Sequence, residues 1–413
     1  SWFLHRATGF NLIKLCPEKM SRKENASPFG NEMTELLQSL IAVSEKASNI
    51  ARACRTKKEL FSLLVQEKGE KDANPRFIQD FKTLADVLIQ ETVRHELGQK
   101  FPELADHIHG EESNSFSNTL GETITVEIRE TQQETAALLY KVLDGDKNAA
   151  DILAAEVHKN IVMDDINSQI SSCLNLDIPV SNLGVWIDPI DSTAEYISGD
   201  TESVSIGSIS LSGLQCVTVL IGVYDRLTGQ PVIGVLNQPF YNGSKGRCLW
   251  GISYMGKRIF FNPYKDSEKS EEKTTPTICI SSSENIILKE LLNGAGYNLV
   301  ESAGAGYKLL MVILGHADAY VLSKPSTYKW DTCGPHAILN ALDGGILDYS
   351  KALDDESDND NCEVTYFTDA EHCNGATLDR WCNKGGIIAY RNPQIISQPP
   401  TFKCTCKKIY TYV

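Results

Sequence analysis

Apolar positions recur at helical spacing in segment 31–55. Leu36, Leu37, Leu40, Ile41, Val43, Ile50 and Ala51 share one face, with acids early and Arg52 and Arg55 late. That charge order suits a helix dipole, so the pattern predicts an amphipathic helix. Similar spacing predicts helices over 58–66, 81–97, 130–143 and 148–160, the last two rich in Ala, Glu and Leu. Between 205 and 254 the period shortens. Runs of β type at 216–224, 231–237 and 247–254 are separated by turn signals at Leu227-Thr228-Gly229 and Asn242-Gly243. After 277 the two periods alternate, predicting strands at 277–281, 297–301, 319–322 and 386–390 and helices at 284–293, 307–314 and 331–342.

Stretches poor in apolar residues divide this pattern. Residues 1–30 are read as an N-terminal extension, expected to be disordered, and 31–265 as an N-terminal α+β portion. The charged segment 266–276 is read as a mobile loop and 277–391 as a C-terminal α/β portion, leaving 392–413 as an irregular tail with three prolines. Smaller loops are expected at 67–75 and 101–113, and an acidic excursion at 354–362. Within the extension, Arg6 and Lys14 precede the first acid, Glu18, as in a transit peptide. The missing initiator Met, with Met20-Ser21-Arg22-Lys23 downstream, favours instead an upstream translated extension outside the fold.

Composition narrows the function classes. A chain of 413 residues with 42% hydrophobic content buries a large core, as one domain or two fused halves. The net charge of −15 argues against nucleic-acid or anionic-membrane binding, although metal ions can reverse the sign locally for a phosphorylated ligand. No apolar run approaches the ~20 residues of a membrane span. Twelve cysteines are scattered without a CxxC pair, and Cys216, Cys279 and Cys333 read as small core residues, which points to a reducing, cytoplasmic compartment.

The candidate chemistry centres on Trp186-Ile187-Asp188-Pro189-Ile190-Asp191-Ser192-Thr193. An apolar strand, 183–187, is broken by Pro189, which lacks an N–H, and Ser192 and Thr193 are helix-capping types. Asp188 and Asp191 flank the break, with the Ile190 carbonyl between them, an arrangement that offers oxygens to a hard cation. Other acids stand far off in sequence. Glu111 and Glu112 follow a turn at Gly110; being adjacent, they point to opposite sides of an extended chain, so one at most is expected to bind a metal directly. Asp331 starts a helix, and Asp86 lies within one. Singly, each has an ordinary reading as a cap or a solvated acid. Together they are the oxygen-rich set from which sites for two or more Mg²⁺ ions are built. The small residues of Ser302-Ala303-Gly304-Ala305-Gly306-Tyr307-Lys308 would let a ligand approach the backbone, with Lys308 meeting a second phosphate. His107, His109 and His336 lack zinc spacing and are assigned to structure.

Three ordered motifs, Gly110-Glu111-Glu112-Ser113, the 186–193 stretch and Trp330-Asp331-Thr332-Cys333-Gly334-Pro335-His336-Ala337, resemble those of the lithium-sensitive, magnesium-dependent phosphatases of the inositol monophosphatase superfamily. Asp191-Ser192-Thr193, where most relatives have Asp-Gly-Thr, resembles the branch acting on inositol polyphosphates, and the likeness runs from about 31 to 391. It implies an α+β fold, a layered α-β-α-β-α sandwich of the inositol monophosphatase and fructose-1,6-bisphosphatase type. It also implies removal of the 1-phosphate from inositol 1,4-bisphosphate and inositol 1,3,4-trisphosphate. By the resemblance, two or three Mg²⁺ ions would be held by Asp86, Glu111 (with Glu112 beside it), Asp188, the Ile190 carbonyl, Asp191 and Asp331, with Li⁺ as inhibitor. Asp86 and Thr193 would orient and deprotonate a water, Glu111 would join them in catalysis, and Asp191, Ser192, Thr193, Ser283, Gly304, Ala305 and Lys308 would bind substrate. The expected partners are small inositol polyphosphates, with no nucleic acid or membrane, and the expected working unit is a monomer.

The chain departs from the family at Asn285, where a lysine is expected, at Asp343, where glycine usually precedes Gly344-Gly345, and in the tail after Arg391. Two rivals stay open: a nucleotidase of the same fold acting on 3′-phosphoadenosine 5′-phosphate, and a catalytically dead adaptor that binds phosphoinositols.

Overall fold

The computed structural model describes residues 30–55, 65–68, 81–118, 120–161, 176–264, 275–353, 362–368 and 377–397. The readings of the extension, the 266–276 loop and the acidic excursion therefore lie wholly or almost wholly outside the described residues, as do most of the 58–66 helix and of the tail.

Helix α1 (Gly30–Arg55) and helix α2 (Leu84–Lys100) form the first layer. The predicted helix start at 81 moves to Leu84, because Phe81–Thr83 pairs as a strand with Val65–Glu67, where the spacing predicts a helix end at Gln66 and a loop from Glu67. Thr83 is the N-cap: its side chain accepts from the Asp86 amide, and Asp86 returns a bond to the Thr83 amide. This reciprocal capping box satisfies two backbone donors at once. Helices α3 (Gln132–Val142) and α4 (Lys147–His158) follow within two residues of their expected bounds.

The first sheet has six strands: β1 (Ile108–Gly110), β2 (Leu183–Asp191), β3 (Thr218–Asp225), β4 (Pro231–Gln238), β5 (Arg247–Tyr254) and β6 (Lys257–Phe261), in spatial order β6-β5-β4-β3-β2-β1. β1 and β2 are parallel, and every other neighbouring pair is antiparallel. Strand alternation divides the side chains between two cores. Val185, Ile187, Ile221, Val223, Ile233 and Val235 pack under Leu36, Leu40 and Val93 of α1 and α2. On the other face Trp186, Leu220, Tyr224, Leu236 and Leu249 join a core with helices α7 (Ala305–Leu314) and α8 (Lys329–Ala341) and a second sheet.

That sheet is made of β7 (Thr277–Ile280), β8 (Asn298–Glu301), β9 (Ala319–Leu322), β10 (Gly345–Asp348) and β11 (Ile387–Tyr390), in order β8-β7-β9-β11-β10. Tyr320, Leu322, Ile346 and Ile387 face α7 and α8. Val321, Leu347 and Ile388 face outward onto Leu288 and Leu292 of α6 (Ile286–Gly294). The layers run helix, sheet, helix, sheet, helix, so the expected α+β layered sandwich is what the chain forms.

A lane of glycines seats α8. Gly222, Gly234 and Gly251 lie side by side in register on β3, β4 and β5, opposite Trp186 on β2. A Cβ on Gly222 would lie 2.3 Å from the Gly334 amide nitrogen, and one on Gly234 would lie 1.9 Å from the Gly334 carbonyl oxygen. The helix backbone thus rests directly on the strand backbone, closer than any side chain allows. Two of the three family departures, Asp343 and Asn285, are explained locally. Asp343 has φ 64° just beyond α8, a left-handed turn that Asp tolerates, and its carboxylate pairs with Arg258. Asn285 caps α6 by accepting from the Ile287 amide (2.9 Å).

Candidate functional site

Strand β2 does not end where Pro189 predicts. Asp188 pairs with Leu220 and Asp191 with Thr218, so Pro189 and Ile190 form a bulge and the ladder resumes. The bulge supplies the extra residue that re-aims the two acids on either side of it. Asp331 is the third residue of α8 and not its first. Its Oδ2 accepts from the Tyr328 amide (2.6 Å), which folds the carboxylate back over the helix start. Ligand oxygens of Asp188, Asp191 and Asp331 lie within 4.8 Å of one another, and all three side chains are buried.

Asp191 is positioned from the side by α7. It accepts from the amides of Ala305 (3.2 Å) and Gly306 (2.9 Å) and from the Thr218 hydroxyl (3.3 Å). Gly304 turns the chain into that helix at φ 72°. Lys308, one turn along, donates to the carbonyls of Ser302 (2.9 Å) and Gly304 (2.6 Å). Its buried ammonium therefore holds the glycine turn beside Asp191. Ser192 occupies the N-cap position of the short helix α5 (Thr193–Ser198) with φ 74°, and its side chain makes no capping bond, contrary to the capping expected of it. A left-handed backbone of this kind is one that glycine adopts without strain and that a serine adopts at a cost. The Thr193 hydroxyl donates to the Ile190 carbonyl (3.2 Å).

Glu111, Asp188, Ile190, Asp191, Ser192, Thr193, Ser283, Gly304, Ala305, Lys308 and Asp331 all line one cavity of about 1000 Å³. Asp86 and Glu112 are not among its lining residues. Asp86 is fully buried: its Oδ2 accepts from the Thr83 amide (2.7 Å) and hydroxyl (2.6 Å), and its Oδ1 has no hydrogen-bond partner among the described residues. Glu112 is held by its backbone amide, which donates to Gln90 Oε1 (2.9 Å). The two glutamates do not diverge as their adjacency suggested, for Lys68 Nζ reaches both, at 2.6 Å from Glu111 and 2.8 Å from Glu112.

Lys68 is the functional neighbour that the sequence did not reveal, lying in a stretch where lysine and glutamate are common. Thr83 carried a signal: Thr83 three residues before Asp86 is a capping-box spacing. Thr218 lies in a stretch, 213–218, that shares the family resemblance, and nothing marked Gln90. His107, His109 and His336 do not line the cavity. His336 is buried with Nδ1 2.9 Å from the Tyr366 hydroxyl, and His109 sits against the Trp186 ring. Cys54, Cys216, Cys248, Cys279, Cys333, Cys362 and Cys382 are free, and Cys216, Cys279 and Cys333 are core residues as expected.

The carboxylates outnumber the ammonium groups set against them, Lys68 and Lys308. Burial, then the charges of Glu111, Asp191, Asp331 and Asp86, push Asp188 well above the usual carboxylate range. Asp331 is raised in the same way by burial and by Asp191 and Glu111, against the Tyr328 amide. Burial raises Asp191 to about 6, opposed by Lys308 and the Gly306 amide. Asp86 is raised to about 7 by burial against its Thr83 bonds, and Glu112 to about 8 by burial against Lys68. Buried like charges this close repel one another unless bound cations or protons neutralise them. The donors are all oxygen, and buried Oδ1 atoms of Asp86 and Asp188 have no partner among the described residues. That set fits a hard divalent ion such as Mg²⁺ and does not suit a soft metal.

The sequence profile of the inositol monophosphatase family matches residues 33–394. Inositol polyphosphate 1-phosphatase of Mus musculus is 45% identical over 379 residues, covering 87% of this chain and 94% of that protein. The Homo sapiens protein of that name is 44% identical over 382 residues, with the same coverage. A 3′(2′),5′-bisphosphate nucleotidase 1 of Rattus norvegicus is 28% identical over 324 residues, covering 77% of this chain and 84% of that protein. Among solved structures, an IMPase from Thermotoga maritima has a TM-score of 0.51 at 11% identity, covering 92% of this chain and 99% of that one, a likeness of fold.

Proposed function

The chain belongs to the inositol monophosphatase family, and from that premise we propose that it is an inositol polyphosphate 1-phosphatase, cleaving the 1-phosphate of inositol 1,4-bisphosphate and inositol 1,3,4-trisphosphate. The observation that carries the reading is the meeting of Asp188, Asp191 and Asp331, from a strand end and a distant helix, inside a cavity large enough for a phosphorylated ring.

Asp188, Asp191 and Asp331, with Glu111 and the Ile190 carbonyl nearby, would hold two or three Mg²⁺ ions. When bound, these supply Lewis-acid stabilisation of phosphoryl charge and acidify water. The chain's own groups do the rest. Ser192 and the 304–305 turn shape the cavity floor against the scissile phosphate. Asp86, raised to about 7 and buried outside the cavity lining, has an Oδ1 with no partner among the described residues, and we assign it, with Thr193, as the base for an attacking water that reaches that atom. Water attacks phosphorus in line, the phosphorus–oxygen bond to inositol breaks, and the departing oxygen takes up a proton. No cysteine or histidine lines the cavity among the described residues, so direct hydrolysis without a phosphoenzyme fits best.

Localisation in the cytoplasm and action as a monomer on small inositol polyphosphates belong to the same proposal. Among the described residues no helix is long and apolar enough to cross a membrane. The dead-adaptor reading is disfavoured because every proposed ligand and Thr193 are present. The nucleotidase reading is tested by turnover: inositol 1,4-bisphosphate is expected to exceed 3′-phosphoadenosine 5′-phosphate by roughly a hundredfold in kcat/KM. The reverse order would replace the substrate class while keeping the family.

A further inference from the structure

We propose that Lys324 binds the phosphate that is not cleaved and thereby selects doubly phosphorylated substrates, an inference that rests on the phosphatase reading above. The cavity lining includes Glu111, Asp188, Asp191 and Asp331 and, from other segments, Ser281–Ser283 and Lys324–Thr327. A ligand with two phosphates meets a strongly acidic chain here, so a phosphate held by residues other than the clustered acids needs positive charge of its own.

Among the described residues lining the cavity, the cations are Lys308 and Lys324. Lys308 is buried, bonded to two backbone carbonyls and set against Asp191, so it serves the clustered acids. Lys324 is exposed, and its ammonium donates to the Ser283 carbonyl. An ammonium has three donors, so this contact fixes its place while leaving capacity for an anion. Ser281 and Ser283, whose hydroxyls are 3.0 Å apart, line the cavity too.

These two segments are braced. Buried Glu284 accepts from the Ser323 amide (2.8 Å) and the Ser323 hydroxyl (2.6 Å), which fastens the residue before Lys324 to the residue after Ser283. Lys289 adds a bond to the Ser282 carbonyl (2.7 Å). Asn285, the position where a lysine was expected, is committed to the cap of α6 and brings no charge. Lys324 faces the same turn from the neighbouring segment and brings one.

The test is Lys324→Met, assayed for phosphate release from inositol 1,4-bisphosphate in Mg²⁺, with inorganic phosphate as a competitive inhibitor. Inorganic phosphate reports the clustered acids alone. The proposal expects KM to rise about tenfold, as for loss of one charged hydrogen bond. It also expects kcat to stay within about twofold and the phosphate inhibition constant to stay unchanged, since substrate and transition state lose the same contact. An unchanged KM overturns it, and so does a parallel rise in KM and the phosphate inhibition constant. A wild-type enzyme that releases no phosphate from the bisphosphate would remove the substrate reading itself, a distinguishable failure.

Discussion

Asp188→Asn is expected to lower Mg²⁺-supported phosphate release by about a thousandfold or more, with the fold retained. Asp188 is buried at the bulge, its Oδ1 has no partner among the described residues, and it shares a 4.8 Å neighbourhood with Asp191 and Asp331. The amide is isosteric but removes one charge and turns an N–H₂ toward acids, so cation binding is lost while packing is kept. Asp331→Asn should behave alike. A thermal readout separates site from fold. Carboxylates whose folded pKa is raised favour the folded state fully below their ordinary pKa and lose that contribution as pH climbs through the folded value. Asp191 at about 6, Asp86 at about 7 and Glu112 at about 8 define that window. Metal-free wild type should therefore show a lower Tm at pH 8 than at pH 5, and Asp188→Asn should narrow the gap. Retained turnover in either variant counts directly against the ligand assignment.

Gly234→Ala should cost stability and activity together, although it touches no ligand. Its Cβ would meet the Gly334 carbonyl oxygen at 1.9 Å, and the obstacle is helix backbone, which cannot rotate away. Overpacking of this kind costs about 1–3 kcal/mol, at times more. Because α8 must lift, Asp331 moves from Asp188 and Asp191, and turnover should fall with the loss of Mg²⁺ affinity. Gly294→Ala, at the end of α6 with no atom of the described residues within 4 Å of the added Cβ, is the control and should stay within about 0.5 kcal/mol. Urea unfolding of both variants, with Mg²⁺ titrations of activity, checks the pair. A stable, inactive Gly234→Ala protein would mean that the lane does not hold the helix.

How much of this was legible follows from the kind of signal each part carries. The long strands β3, β4 and β5 and helices α3, α4 and α7 announce themselves through sustained periodicity and turn residues. β1 is three residues long and β6 opens with Lys257 and Arg258, so neither has an apolar pattern to read. β2 outran its prediction because a bulge lets a strand continue past a proline. The acids were visible one by one, each with an ordinary explanation. Their shared oxygen chemistry suggested one set and their resemblance to known motifs supported it, since spacing along the chain says nothing of a helix that crosses β3 and β4 to reach the end of β2. The glycine lane is legible only with the strand register, and Lys68 only with the folded position of its segment.

Phosphate release from inositol 1,4-bisphosphate by chelator-stripped wild-type enzyme, measured before and after Mg²⁺ is restored, tests the central claim most directly. The account predicts no release above background without the ion, full release on its return and inhibition when Li⁺ is added. Undiminished release in excess chelator would contradict it, for the acids would then have converged for some purpose other than holding cations against a phosphoryl group.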